Sequence, residues 1–150
     1  SGRIEAERLD LSALPPLFVA IDEEAGEGTE VFHSTLRERF QRGDSAVVEG
    51  VARQADLTRR GVEFLRARRG GELGVLMDEN FEIRRQMSRL NPRHERMVDT
   101  ARAFGAHAKF AGSGGAIVGT CEANRIEEVI EELQRQGYKA FRPALHPSAS

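Results

Sequence analysis

Five consecutive apolar residues, Leu17-Phe18-Val19-Ala20-Ile21, follow Pro15-Pro16 near the start of the chain. A run so short, fenced by prolines and then by acidic residues, predicts a strand buried on both faces. Asp22 to Glu30 is acidic and glycine-bearing and predicts a loop. Beyond it the apolar spacing becomes helical. Ser34 is placed to cap a short helix carrying Leu36 and Phe40, and Gly43-Asp44 ends that helix and starts another. The second helix aligns Val48, Val51, Ala52, Ala55, Val62 and Leu65 on one stripe, runs out in Arg68-Arg69 and stops at Gly70-Gly71. A third begins near Glu72 and fades near Leu90. A fourth takes Asn91 as cap and Pro92 in its first turn, carries an inner stripe of Met97, Ala101 and Phe104, and stops at Gly105.

The period then returns to two. Ala106 to Ala111 and Ala116 to Cys121 predict strands joined by Gly112-Ser113-Gly114-Gly115, a hairpin. Asn124 is placed to cap a last helix with Glu127 at the capping-box position, Ile126, Val129, Ile130 and Leu133 on one face and Gly137 at its end. Tyr138 to Arg142 predicts a final strand. The order is that of an α+β, ferredoxin-like β-α-β-β-α-β sandwich with a multi-helix insertion in the first crossover. Residues 9–143 form one expected domain, between a polar lead-in, 1–8, and a tail, 144–150, expected to be disordered. Ser1-Gly2, with no Met before them, read as a tag remnant or as a cut inside a longer protein.

Composition narrows the classes. The chain has 150 residues, enough for one core without metal or disulfide staples. With 39% hydrophobic and 31% charged residues it suits a soluble globular domain. A net charge of −2 argues against a general nucleic-acid binder, and no apolar run reaches the length of a membrane span. Cys121 is the only cysteine, which excludes an internal disulfide and fits a reducing, cytoplasmic setting.

The third helix breaks its own pattern. Leu73, Leu76, Met77 and Met87 define an apolar face, and Asn80 and Arg84 fall near its middle. One reading is a buried arginine satisfied by a carboxylate, or a helix end less covered than its stripe suggests. The other is a face that lines a cleft, with Asn80 hydrogen-bonding and Arg84 gripping a carboxylate or phosphate. The glycine loop also has two readings. It is either a tight hairpin without chemistry, or a cradle in which Gly112, Gly114 and Gly115 take positive φ and offer N–H groups to an anion, with Lys109 adding charge. It fits neither G-x-G-x-x-G nor the P-loop. His33, His94, His107 and His146 lack metal-ligand spacing, so no metal site is expected, and Ser113 is not in a nucleophile elbow.

The segment LMDENFEIRRQMSRLNPRHERMVDTARAFGAHAKFAGSGGAIVGTC resembles the C-terminal domain of the GHMP small-molecule kinases. That family has an M-x-x-N-x-x-x-R/K helix, then a second helix, a strand and a K-x-x-G-x-G-G motif. The matching positions are Met77, Asn80 and Arg84, then Lys109, Gly112, Gly114 and Gly115, with Ser113 where alanine is usual. LPPLFVAIDEE and HSTLRERF are similar to the glucuronokinase branch in particular, so the resemblance extends over about residues 9–143.

It implies ATP-dependent phosphoryl transfer, with Mg, to the anomeric hydroxyl of a uronic acid or related sugar. Asn80 and Arg84 would be substrate-side residues, and Lys109, Gly112, Ser113, Gly114 and Gly115 the phosphate-side loop. It also implies a missing N-terminal domain, because nothing here matches the family's P-x-x-x-G-L-x-S-S-A loop or its catalytic acid. The catalytic base is therefore unassigned, and this chain alone is expected to be inactive. The rival expectations are a stand-alone module that binds a small anionic metabolite or forms a homodimer, and a purely structural domain whose glycine loop is only a turn.

Overall fold

A computed structural model describes residues 11–24, 36–112 and 115–144. The Ser34 cap, most of the acidic loop after Asp22, Ser113, Gly114, the lead-in and all but the first residue of the tail lie outside them. The elements run β1 (Leu17–Ile21), α1 (Ser45–Arg66), α2 (Leu73–Met87), α3 (Pro92–Ala103), β2 (His107–Phe110), β3 (Ala116–Thr120), α4 (Ile126–Arg135) and β4 (Lys139–Phe141). Residues 36–41 are also helical. The four strands form one antiparallel sheet in the order β2-β3-β1-β4, with Val19 opposite Val118 and Phe141. The expected α+β class and the order of strands and helices along the chain are both present.

The sheet core forms because every second strand residue points one way. Phe18, Ala20, Ala108, Phe110, Ile117 and Ala140 meet α3 and α4, whose Met97, Val98, Ala101, Ile126 and Leu133 are fully enclosed. Each large side chain so buried contributes about 1.5–3 kcal/mol. On β1 the opposite face, Leu17, Val19 and Ile21, is only half-buried, so the strand is not covered on both faces as its apolar run suggests.

Helix ends follow local chemistry. Asp44 Oδ1 accepts the Ala46 N–H at the start of α1, and Asn91 Oδ1 accepts the Arg93 N–H ahead of Pro92. α1 ends at Arg66, and Arg68, at φ 57°, turns the chain before Gly70. Asn124 does not cap α4. The chain enters that helix through a turn closed by the Arg125 N–H on the Glu122 carbonyl, and Arg125 stands before Ile126 with no side-chain cap.

α1 corrects the sequence reading most. Its buried residues are Val47, Gly50 and Leu57, whereas Val48 and Val51 are 39% and 41% exposed and Ala52 and Ala55 lie at the surface. The helix is apolar on two sides, and periodicity alone favours the wider stripe, which is the outer one. The inner side packs on α2 to make a second core of Val47, Leu57, Leu76, Ile83 and Met87.

Candidate functional site

α2 serves both cores. Phe81 enters the sheet core, and Leu76, Ile83 and Met87 enter the helix core. At 100° per residue, Met77, Asn80 and Arg84 fall between those two directions, and all three are half-buried. The polar residues that interrupt the apolar face thus mark the seam between two cores. A cavity of about 130 Å³ opens there between α1, α2 and β2. Leu57, Leu73, Leu76 and Met77 form its apolar walls, and Thr58, Asn80, Lys109 and the bare backbone of Gly61 complete it.

Lys109 reaches this cavity from the half-buried face of β2. Burial, and then the positive charge of Arg84, hold its ammonium below the usual 10.5. Among the described residues it has no acidic partner. Arg84 does not line the cavity. Its Nη1 donates to the Gly112 carbonyl, and its guanidinium lies 5.2 Å from the centre of the Phe110 ring. Burial lowers its pKa to about 10. The structure therefore brings Asn80 and Lys109 together and sets Arg84 beside them as a clasp on the glycine loop.

The loop is fastened at both of its described ends. Gly112 has φ +78°, a conformation that favours glycine, and open space where a side chain would stand. The Gly115 carbonyl accepts the Asp22 N–H at 2.9 Å. Asp22 is buried at the end of β1, where Oδ1 accepts from Arg93 Nη2 at 3.1 Å and Oδ2 lies 3.9 Å from His94 Nε2. His94 meets the Phe110 ring edge to face. Spacing along the chain gave no sign of Asp22 and His94, because the pair closes only in three dimensions.

Asp78 is the other residue without a sequence signal. Oδ1 accepts the Ala108 N–H on the free edge of β2 at 3.2 Å, and Oδ2 lies 2.6 Å from His107 Nδ1. Arg102 completes the cluster, with Nε 3.2 Å from Asp78 and Nη1 2.9 Å from Glu82. α2 thereby covers the edge strand that carries Lys109. A larger groove of about 330 Å³ lies on the α1–α2 surface, but its charges are engaged: Arg60 stands 3.7 Å from Glu79, and Arg53 donates to Gln86.

The model of the family "GHMP kinases C terminal" matches residues 62–139, which hold Met77, Asn80, Arg84, Lys109 and the whole glycine loop. The chain belongs to the GHMP kinase family. Its match lies in that family's C-terminal domain. It is 35% identical over 135 residues to Probable glucuronokinase 2 of Arabidopsis thaliana, covering 87% of this chain and 37% of the relative. To Glucuronokinase 1 of the same plant it is 32% identical over 145 residues, covering 93% and 40%. The chain thus spans about two fifths of the length of these relatives. The Lin0012 protein of Listeria innocua shares the fold, with a TM-score of 0.79, 16% identity and coverage of 90% of this chain and 40% of that one.

A GHMP kinase uses ATP. Among the described residues no three His, Cys, Asp or Glu side chains gather to hold a metal ion. Among the described residues no helix is long and apolar enough to cross a membrane.

Proposed function

We propose that this chain is the acceptor-side part of an ATP-dependent sugar kinase that phosphorylates the anomeric hydroxyl of a uronic acid, glucuronate first. The observation that carries the reading is the seam cavity, where Asn80 and Lys109 meet beside a glycine loop clasped by Arg84. Of the motif positions that resemble the family, Met77, Asn80 and Lys109 line this cavity, and Arg84 holds Gly112 beside it. Two relatives whose names give glucuronokinase as their activity support the choice of acceptor.

Phosphoryl transfer needs little covalent help from protein and much positioning and charge stabilisation. Asn80 offers both a donor and an acceptor to a sugar hydroxyl. Lys109, half desolvated and without an acidic partner among the described residues, offers its charge to the uronate carboxylate or the transferring group. Arg84 holds the Gly112 carbonyl, and the Asp22 N–H holds that of Gly115. ATP supplies the phosphoryl group. Its binding loop and the catalytic acid belong to a separate N-terminal domain in this reading, in a reducing, cytoplasmic setting that suits the free Cys121.

The test is turnover of ATP with D-glucuronate by the natural polypeptide that contains this chain, set against the chain alone. Glucuronate 1-phosphate from the first and none from the second is expected. Failure of the natural polypeptide to phosphorylate any uronic acid or neutral hexose overturns the reading.

A further inference from the structure

Helix interiors disfavour glycine, because it has more backbone freedom to lose than any other residue. α1 holds two interior glycines, Gly50 and Gly61. Gly50 has a packing reason, since a Cβ there would lie 2.4 Å from Met87 Cγ inside the helix core. Gly61 has none. A Cβ there would lie 3.5 Å from Leu73 Cδ2 and 3.7 Å from Leu76 Cδ1, ordinary contact distances, and its φ is not positive. What Gly61 borders is the seam cavity.

We infer that Gly61 is a specificity-determining residue of the acceptor site, left without a side chain so that the non-polar C–H face of a pyranose uronate can enter between α1 and α2. The inference rests on the kinase reading for its choice of ligand. The cavity's composition supports it. Leu57, Leu73, Leu76 and Met77 supply apolar wall, while Asn80 and Lys109, with Thr58, supply the polar groups that can meet hydroxyls and a carboxylate. A pyranose presents these two characters on different sides, and a uronate adds the negative charge that Lys109 suits. A flat polar ligand such as free phosphate would leave the apolar walls unused.

The variants are Gly61→Ala and Gly61→Leu, each made in the natural polypeptide. Three quantities are read: the thermal midpoint, the Kd for D-glucuronate by calorimetry, and kcat and KM for glucuronate and for ATP. Gly61→Ala is expected to keep or raise the midpoint, since alanine is the better helix former and meets no clash. A methyl group in a fitted apolar pocket should weaken glucuronate about threefold or more, and leucine about tenfold or more, with KM for ATP unchanged. Equal glucuronate affinity in all three proteins overturns the inference, as does a midpoint that falls in Gly61→Ala while affinity holds, because the glycine would then serve packing. If the unsubstituted protein binds no glucuronate, the assigned ligand is wrong and the inference falls. If it turns glucuronate over with the same KM in both variants, the kinase reading stands and the role of Gly61 is lost.

Discussion

The sheet core and the helix core are closed by different means. The first is enclosed by strands on one side and α3 and α4 on the other, so alternate strand residues and whole helix stripes disappear from solvent together. The second lies between two helices that have solvent behind them, and it buries Val47, Leu57, Leu76, Ile83 and Met87 while Val48 and Val51 remain at the surface. A pair of helices cannot bury every apolar residue it carries. The seam between these cores is also where partly desolvated polar groups can stand without interrupting either, which is where Asn80, Arg84 and Lys109 are found.

Phe81 and Ile83 test the separation most severely, because they are two residues apart on one helix and point into different cores. Phe81 packs edge to face on Phe110 at 5.1 Å and has the Arg85 and Arg102 guanidinium groups over its ring. Phe81→Ala should cost about 3–5 kcal/mol, and Ile83→Ala about 2 kcal/mol, toward the lower end for large-to-small changes, because Ile83 also borders the surface groove. In urea denaturation the double variant should equal the sum of the singles within about 0.5 kcal/mol. Strong coupling, or equal costs, would mean a single continuous core.

Asp78 joins the two regions through the edge of β2. Removing it leaves the buried Ala108 N–H without an acceptor, so Asp78→Ala should cost about 1–3 kcal/mol. Asp78→Asn keeps an amide oxygen in place of Oδ1 and should recover most of that loss. If alanine and asparagine behave alike, the contribution of Asp78 comes from its charge on His107 and Arg102 and not from covering the strand edge.

Gly50→Ala probes the helix core alone. The added methyl meets Met87, whose side chain must shift inside a filled space, and a cost of about 1–2 kcal/mol in chemical denaturation is expected. A neutral result would show that the helix core is loose enough to absorb a methyl group, and the contrast with the sheet core would sharpen.

The sequence was readable where one core decides. The β2–β3 pair and the inner faces of α3 and α4 follow from period alone, since each has one buried face. The five apolar residues of β1 marked a strand without showing that only Phe18 and Ala20 are fully buried. α1 has two apolar faces, and only packing against α2 selects Val47 and Leu57 over Val48 and Val51. At the site, Asn80 and Arg84 were legible as polar residues in an apolar stripe, and the motif resemblance added Lys109 and the glycines. That Arg84 would close on Gly112 while Lys109 faced the cavity could not be read, because it depends on how β2 lies against α2. Asp22, His94 and Asp78 act across the fold, and Gly61 acts through the side chain it lacks.

Lys109 gives the smallest effect on stability and the plainest one on charge. Burial, then the Arg84 charge, lowers its folded pKa below the ordinary 10.5, so folding releases protons in the interval between the two values. The unfolded chain binds more protons there, and stability contributed by this group therefore rises as the pH climbs toward 10.5 and is lost again as the pH falls through the folded pKa. Lys109→Met keeps the stem that packs in the seam and removes the charge. It should stabilise the protein at neutral pH by up to about 1 kcal/mol, erase that part of the alkaline slope, and weaken glucuronate. A Lys109→Met protein that is less stable at pH 7 would show that the ammonium has an anionic partner in the folded chain. Lys109 would then belong with the structural charges around Asp78 and not with the seam.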